Sequence, residues 1–302
     1  MRIVTHLLTL GLVFMSIYTV QAQSKIQGEF KVDYVPMSNY IRPIDSLKTD
    51  SKSDFKKVEL ALEIPLSMKM DHRDKPRIWS VMAYGGYARM NHKDYEEQLF
   101  PTELLNASVG VKHFRSISDS WSLLLMGSVG VYTDMENINK DAILGQGAVF
   151  FIKHFRPNFS LGGGPVLTNS FGVPMVLPGI YLNWETSGDF FVKVAFPQGL
   201  EVGYKFTDNF LLSAAVDLQG MTAIVKQDNE TKILGFQQIV AGLRPVIKFS
   251  DNMTLSFTAG STLVRSFSYN ERKIKSIFKE KKVADPKFST TFYGGMSLKW
   301  SL

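Results

Sequence analysis

The chain contains no cysteine among its 302 residues. This absence excludes disulfide staples, thiolate chemistry, a lipid anchor on cysteine and most zinc sites. Histidine is also scarce, and the five residues present do not stand at the i, i+2 or i, i+4 spacing of a metal-binding pair. The sequence therefore predicts no metal site and no cofactor, and it carries no recognisable catalytic set.

Long hydrophobic stretches are also few, since the mean hydropathy of the chain is close to zero. A helical membrane protein would be far more apolar, and a disordered chain would have fewer aromatic residues than the 12% found here. In a transmembrane β-barrel, lipid-facing and lumen-facing residues alternate and cancel in such an average. The composition therefore fits a β-barrel.

The first 22 residues have the features of a secretory signal peptide. Arg2 supplies the positive start, residues 7–20 form a mostly apolar core, and Val20, Gln21 and Ala22 form a small-x-small cleavage site. The alternative is a membrane anchor, but the apolar run is short and no basic stop follows it. We expect cleavage after Ala22 and a mature domain over residues 23–302.

The formal net charge of the chain is +6 at pH 7. A basic protein can bind nucleic acid, but an exported one meets anionic lipid headgroups and lipopolysaccharide phosphates instead. We therefore expect outer-membrane lipids as partners, with lipopolysaccharide as a further candidate, and no nucleic acid.

The end of the chain alternates between two kinds of side chain. From Phe292 to Leu302 every second residue is apolar or glycine, and the residues between them are small, polar or amphipathic. This period of two predicts a strand with one apolar face. The apolar last residue and the aromatic Trp300 resemble the C-terminal strand signal of outer-membrane β-barrels, which implies recognition by the barrel-assembly machinery.

Less regular alternation predicts thirteen earlier strands, which makes fourteen in total. The thirteen cover residues 28–36, 57–69, 77–91, 102–115, 120–133, 142–156, 158–168, 175–185, 189–197, 200–207, 210–221, 236–250 and 253–267. Twelve strands is the alternative, because segments 189–197 and 200–207 are short and lie close together in the sequence.

The connections between these strands alternate in length. Every second one is mostly a tight turn rich in Asp, Asn, Pro or Gly, which such turns require. The others are predicted to be longer loops, at residues 37–53, 92–101, 134–141, 169–174, 222–235 and 268–287. Short turns on one rim and long loops on the other are typical of periplasmic turns and extracellular loops in outer-membrane barrels.

Aromatic residues gather at the strand ends of the short-turn rim, which is typical of a membrane interface. Together with the signal segment, the strand number and the terminal strand, they resemble the uncharacterised outer-membrane β-barrel families of Gram-negative bacteria, particularly one carried as a domain of unknown function. The resemblance covers essentially the whole mature chain. It implies a single antiparallel transmembrane β-barrel and supplies no functional residues.

Charged residues of both signs are predicted to face the lumen, where they can pair across strands or line a wet pore. The set is Lys31, Asp33, Glu59, Glu63, Lys112, Lys193, Glu201, Lys205, Asp217, Arg244, Lys248 and Lys299. A barrel of about fourteen strands is wider than the eight that side chains can fill. The lumen is therefore expected to conduct unless a segment of the chain occludes it.

Two of the predicted loops, 37–53 and 268–287, are candidates for occlusion because barrel closure makes them neighbours. The second is strongly basic and is expected to be extracellular, with the cations Arg272, Lys273, Lys275, Lys279, Lys281 and Lys282. It is either a solvated loop or a site for lipopolysaccharide phosphates.

The leading hypothesis for function is a passive channel or uptake porin for small solutes. The first alternative is a non-conducting structural or surface-binding barrel that uses the basic loop. The second is a lipid-acting enzyme that uses His113 or His154, but both lie near the inner rim and no Gly-x-Ser-x-Gly elbow exists. The sequence therefore favours a protein that is not an enzyme.

Overall fold

The structure, a computed structural model, describes residues 25–96, 99–136, 138, 140–169, 174–186, 188–227, 230–271 and 285–302. These residues form fourteen long strands and two short strand segments, His92–Lys93 and Lys287–Phe288. The long strands are β1 (Gln27–Ile41), β2 (Lys48–Met70), β3 (Pro76–Arg89), β4 (Glu103–Ser116), β5 (Trp121–Thr133), β6 (Ile143–Arg156), β7 (Phe159–Thr168), β8 (Met175–Glu185), β9 (Phe190–Phe196), β10 (Gly199–Thr207), β11 (Phe210–Gln227), β12 (Glu230–Ser250), β13 (Met253–Glu271) and β14 (Phe292–Ser301).

Each strand pairs with its neighbours in the chain, and β14 pairs antiparallel with β1, so the sheet closes into a barrel. The closing register places Phe30 opposite Leu298. The predicted antiparallel barrel of fourteen strands is confirmed, and the alternative of twelve is wrong. The short segments in question are two separate strands, β9 and β10, paired from Phe190 opposite Tyr204 to Ala195 opposite Gly199.

Exposed apolar side chains cover the outside of the barrel, as the alternation predicted. Val129, Leu243 and Leu263 are each more than half exposed although they lie within strands. Exposed aromatic residues also stand at strand ends near the rim that holds both chain termini: Trp121, Phe155, Trp184, Phe190, Phe206, Phe210 and Phe249. A surface of this kind suits lipid and its interface with water. In the described part of the chain, no helix is long and apolar enough to cross a membrane.

The opposite rim differs from the prediction, because two of the long loops are strand hairpins. β1 and β2 stay paired as far as Ile41 and Lys48, and β11 and β12 as far as Gln227 and Glu230. The predicted loops 37–53 and 222–235 are therefore wrong over most of their length. Both hairpins carry polar residues whose backbone groups are satisfied by the ladder, so polarity there did not mean a loop.

The outer part of the β11–β12 hairpin lies inside the barrel. We call residues 221–225 and 233–236 the plug. All of them are buried, on both faces of their strands, whereas a strand in a barrel wall has one lipid-facing side. Beyond Leu218, β11 leaves its neighbour β10, and Ile224 forms a parallel bridge with Thr133 of β5 on another part of the wall. The plug thus crosses the outer half of the lumen.

The bridge between Ile224 and Thr133 creates a smaller closed circuit in the outer half of the barrel, made of β1–β5 and β11–β14. Interiors of about eight strands are narrow enough for side chains to fill. Accordingly, a hydrophobic core occupies this circuit, with Phe55 stacked on Phe236 at 4.3 Å between ring centroids and Phe100 on Phe267 at 4.5 Å. The outer half of the barrel is therefore filled.

Candidate functional site

A cavity of about 730 Å³ lies in the barrel beneath the plug. It begins at the periplasmic rim, beside Gln27 and Lys299, and reaches Asn106 and Gly220 under the plug. Small and polar residues such as Ser108 form much of its wall. The lumen is therefore open on the side of the chain termini and closed on the other.

The structure places the twelve expected lumen residues on the strand face opposite the exposed apolar residues. For example, Glu59 alternates with the exposed Val58 and Leu60, and Arg244 follows the exposed Leu243. The twelve do not form one continuous lining. Most of them belong to separate clusters of ion pairs, two of which are larger than the rest.

The first cluster, which we call the central network, lies directly beneath the hydrophobic core. Lys57 is almost fully buried, and its Nζ lies 3.1 Å from Oδ2 of Asp33 and 2.9 Å from Oε2 of Glu59. Lys31 lies 3.6 Å from Asp33 and 4.0 Å from Glu59. Two lysines thus balance two carboxylates, which is what burial of charge requires.

The central network also reaches the β11–β12 hairpin. Gln219 and Gln238 face each other across that hairpin, and Gln238 Nε2 donates to Gln219 Oε1 at 2.8 Å. Gln219 Nε2 in turn donates to the Tyr293 hydroxyl at 3.1 Å, and that hydroxyl donates to Asp33. The polar floor of the plug is therefore tied to β1 and β14 of the wall.

The second cluster surrounds Arg244 on β12. Its guanidinium bonds Asp217, lies 3.8 Å from Oε2 of Glu201, and donates from Nε to Thr258 Oγ1 at 2.9 Å. Ser213 donates to the other oxygen of Glu201. Because β10, β11, β12 and β13 each contribute a group, this cluster holds that side of the wall together.

All of the remaining expected lumen residues except Lys193 lie in separate ion pairs, some of them near the periplasmic rim. The pairs are Lys112 with Glu63 at 2.8 Å, Lys205 with Glu185 at 2.9 Å, Lys299 with Glu29 at 3.6 Å and Lys248 with Asp251 at 3.0 Å. Lys193 differs from these, because its ammonium lies 5.0 Å from the ring centroid of Phe191 and forms no ion pair within the described residues.

The plug is held to the wall by groups that the sequence did not suggest. The side-chain amide of Asn106 bonds both backbone groups of Thr222, accepting from its N–H at 3.1 Å and donating to its carbonyl at 2.5 Å. The Thr222 hydroxyl donates to the carbonyl of Asn169. The one sequence signal is the continuous apolar run around Thr222, since strands buried on both faces do not alternate.

A polar cluster beside the hydrophobic core was also missed. Ser53 bonds Nδ1 of His92 at 2.8 Å and the Tyr95 hydroxyl at 2.9 Å. Burial raises the pKa of Tyr95, which lies in the connection after β3. Arg265 donates to the Ser53 carbonyl at 2.6 Å and lies 4.1 Å from the ring centroid of Phe288. The bond from Arg265 to Ser53 ties β13 to β2 across the barrel interior.

The two histidines considered for catalysis lie in different environments. His113 is on the outer face, stacked on Trp79 at 4.1 Å between centroids, and its Nδ1 bonds the carbonyl of Ile78. His154 is on the inner face between two serines, with Nε2 at 2.9 Å from Ser122 Oγ and Nδ1 at 2.8 Å from Ser160 Oγ. The Ser–His contacts were not anticipated from the sequence.

The basic residues Arg272, Lys273, Lys275, Lys279, Lys281 and Lys282 lie outside the described residues, as does the expected signal segment 1–22. Among the residues that the structure does describe, no group of three His, Cys, Asp or Glu side chains could hold a metal ion.

Residues 18–301 of the chain match a protein family described as domain of unknown function DUF6268. The chain belongs to this family. The resemblance drawn from the signal segment, strands, turns and terminal strand is thereby confirmed. Comparison with the curated proteins finds no match.

Among solved structures, the protein is similar to the COG4313 outer membrane channel from Pseudomonas putida F1, with a TM-score of 0.50 and 10% sequence identity over 95% of this chain and 98% of that chain. It also resembles OccK7 (OpdD) of Pseudomonas aeruginosa, with a TM-score of 0.39 and 9% identity over 93% of this chain and 99% of that one. A third similar structure is the outer membrane protease OmpT of Escherichia coli, with a TM-score of 0.29 and 10% identity over 95% of this chain and 100% of that one. At such identities only the fold is shown, and it is that of an outer-membrane β-barrel.

Proposed function

We propose that this protein is a passive channel or uptake protein for small solutes in the outer membrane of a Gram-negative bacterium. The observation that carries the proposal is the cavity of about 730 Å³ that opens at the periplasmic rim and ends under the plug. Charges of both signs and small polar residues line it, which suits hydrated solutes better than a packed structural core.

Conduction on this proposal requires the plug to move, because the plug closes the outer half of the lumen. The hydrogen bonds of its seat on β4 and β5 include those of the Asn106 amide and the bridge from Ile224 to Thr133, and Ile224 and Ile233 also pack against Tyr132. Water can replace these few hydrogen bonds, whereas the apolar contacts of the plug favour closure. The proposed channel is therefore gated and mostly closed.

A second candidate function is a non-conducting barrel that binds a partner at its outer surface. The stacking of Phe55 on Phe236 favours it, because a well-packed core costs free energy to open. On this candidate, the basic residues from Arg272 to Lys282 bind lipopolysaccharide phosphates. Both candidates include cleavage after Ala22 and recognition of the C-terminal strand by the barrel-assembly machinery.

The proposal is tested by locking the plug with a disulfide. The chain has no cysteine, so Thr133→Cys with Ile224→Cys introduces a single possible cross-link between bridge partners. Strand neighbours lie within disulfide range. We expect the reduced double variant to show openings in planar bilayers, and oxidation to abolish them.

The matched control is Val109→Cys with Val129→Cys, which cross-links two neighbouring wall strands on the outer face without touching the plug. Its oxidation should leave openings unchanged. The channel proposal is overturned if neither the intact protein, nor the reduced double variant, nor a variant lacking residues 223–234 shows openings. Heat-modifiable migration on gels verifies that the barrel is folded in each case. A variant lacking residues 272–284 tests the basic loop in the same assay.

A further inference from the structure

The wall of the barrel is low at β9 and β10. β9 has seven residues and β10 has nine, whereas β8 on one side of them has 11 and β11 on the other has 18. At about 3.3 Å per residue β9 is about 23 Å long, and a tilt of about 40° reduces its height to about 18 Å. The apolar band of an outer-membrane barrel is about 25 Å tall.

The top of β9 and β10 therefore lies within the membrane, on the side of the outer leaflet. β9 starts at Phe190, one of the exposed aromatic residues near the periplasmic rim, so its height is counted from the inner interface. We call the resulting gap the side notch. Its floor is the turn at Pro197 and Gln198, and its sides are residues 175–179 of β8 and the part of β11 beyond Leu218.

The side notch has open strand edges. β9 pairs with β8 only up to Ile180, and no strand of the described chain pairs with residues 175–179 on that side. On the other side, the plug carries β11 inward to Thr133. Unpaired strand edges are not tolerated against pure hydrocarbon, but they are tolerated where they line a wet cavity or contact a polar group. The notch therefore requires water or an amphiphile.

The cavity beneath the plug reaches this notch. Its lining includes Pro197 and Gln198 at the floor of the notch, Leu218 on the β11 side, and Val166 and Leu167 on β7. Leu167 and the neighbouring Val176 are exposed apolar residues. An apolar chain in the outer leaflet can therefore pass from lipid over the notch floor into the lumen while it keeps apolar contacts.

Lys193 supplies a charged group below the notch. Lys193 and the small Ala195 follow one another on the inner face of β9, below the turn at Pro197, and both side chains are exposed. The carboxylates flanking Lys193 form their ion pairs with other cations, Glu185 with Lys205 at 2.9 Å and Glu201 with Arg244 at 3.8 Å, although Glu185 also lies within electrostatic range of Lys193. The ammonium of Lys193 is thus available to an anion.

We propose that the side notch and Lys193 form a binding site for a single-chain amphiphile with an anionic head, such as a fatty acid, entering sideways from the outer leaflet. The head contacts Lys193, and the chain passes Ala195 and lies in the notch between β8 and β11. This inference deepens the proposed function by naming a class of substrate and a route into the lumen that does not require the plug to open. It rests on the proposed function for the further passage of the substrate through the barrel.

The test is electron paramagnetic resonance of doxyl-stearate added to the intact barrel in phosphatidylcholine vesicles. Bound stearate gives a motionally restricted signal, which should saturate at one molecule per barrel. Lys193→Met should weaken this binding by about tenfold, a loss typical of one charged contact, and Ala195→Trp should abolish it by filling the path. Lys248→Met is the matched control and should leave binding unchanged, because Lys248 is an inward-facing lysine whose ion-pair partner, Asp251, does not flank Lys193.

The methyl ester of doxyl-stearate has the same chain without the anionic head, so its binding should not change in Lys193→Met. An equal restricted signal in the intact barrel, Lys193→Met and Ala195→Trp would overturn the proposal, as would a site filled only by doxyl-phosphatidylcholine. Heat-modifiable migration verifies that each variant is folded. Binding is measured without conduction, so the two proposals can fail separately. A barrel that binds stearate but never opens contradicts only the proposed channel function. A barrel that opens but does not bind stearate contradicts only the proposed binding site.

Discussion

Lys57 and Asp33 form an ion pair in the middle of the barrel, with 3.1 Å between Nζ and Oδ2 and with side chains that are only 3% and 0% exposed. Neither residue contacts water to any extent, so the charge of Lys57 depends on Asp33 and Glu59, and the charge of Asp33 depends on Lys57 and Lys31. The pair lies on neighbouring strands and directly under the plug. It therefore forms both part of the wall and part of the floor on which the plug rests.

Removing one member of this pair should destabilise the barrel strongly. Lys57→Met leaves two buried carboxylates without their main cation, and breaking a buried pair typically costs about 3–5 kcal/mol. The double variant Lys57→Met with Asp33→Asn should recover part of this loss. The measurement is the free energy of urea unfolding in lipid vesicles.

Lys299→Met is the matched control for Lys57→Met, because Lys299 pairs with Glu29 while 63% of its side chain is exposed. Its effect should stay below about 1 kcal/mol, since exposed pairs contribute little. Equal effects of the two substitutions would contradict the view that burial makes the central network important.

The faces of the strands were predictable from the sequence, but the partners of the side chains were not. Because side chains alternate between the two faces of a strand, Glu59 and Lys31 lie on the face opposite the lipid-facing residues, whichever strands pair on either side. Lys57 shares the face of Glu59, yet it is absent from the expected lumen set. Its importance comes from its burial against Asp33 on the neighbouring strand and from its contact with Gln219, 162 positions away, and no local pattern reveals either.

The plug could not be recognised from alternation, because residues buried on both faces do not alternate. Met221, Ala223, Ile224 and Val225 form a nearly continuous apolar run that can belong to a loop, a strand or a helix when considered alone. The deciding fact is the distant contact between Ile224 and Thr133. The short length of β9 and β10 was visible in the sequence, but its consequence depends on where β11 goes next.

Asn106→Ala should increase the open probability of the channel. Its amide mimics a strand partner for Thr222, and loss of two such hydrogen bonds in a buried site costs about 1–3 kcal/mol. Because the loss falls on the closed state, the ratio of open to closed channels should rise by about 5- to 150-fold. Single-channel recording measures this ratio directly.

Asn183→Ala is the control for this experiment, because Asn183 is an amide on the inner face of β8 that is paired in register with Ser160, toward the periplasmic rim. Its open probability should match that of the intact protein. If Asn106→Ala opens no more often than Asn183→Ala, the contact with Thr222 does not hold the closed state.

The turn between β2 and β3 should make stability depend on pH. The Asp71 carboxylate accepts from the backbone N–H of Arg73 at 2.7 Å and of Lys75 at 3.1 Å, and the first of these is the main cause that lowers the pKa of Asp71 below its usual 3.8. A lowered pKa stabilises the fold above the usual value, and this stabilisation is lost as the pH falls through the lowered one. The difference in urea midpoint between the intact protein and Asp71→Ala should therefore be largest near neutral pH and shrink in acid.

Asp208→Ala provides the comparison at the same rim, since the Asp208 carboxylate accepts no backbone hydrogen bond within the described residues. Its urea midpoint should differ from that of the intact protein by an amount that changes less with pH. A difference for Asp71→Ala that stays constant from neutral to acidic pH would show that the turn hydrogen bonds do not depend on the charge of the carboxylate.

The contacts of His154 allow the enzyme hypothesis to be tested directly. In neutral His154 one nitrogen accepts from a serine hydroxyl while the other donates to the second serine, so either Ser122 or Ser160 is polarised. An efficient serine nucleophile also needs a group that orients the histidine, usually a carboxylate, and in the described part of the chain no carboxylate bonds His154. We therefore expect a fluorophosphonate reagent to label neither serine in the refolded barrel. Labelling that disappears in both Ser122→Ala and His154→Ala, with barrel migration intact, would instead establish a nucleophile at the periplasmic end of the lumen and replace transport by hydrolysis as the leading function.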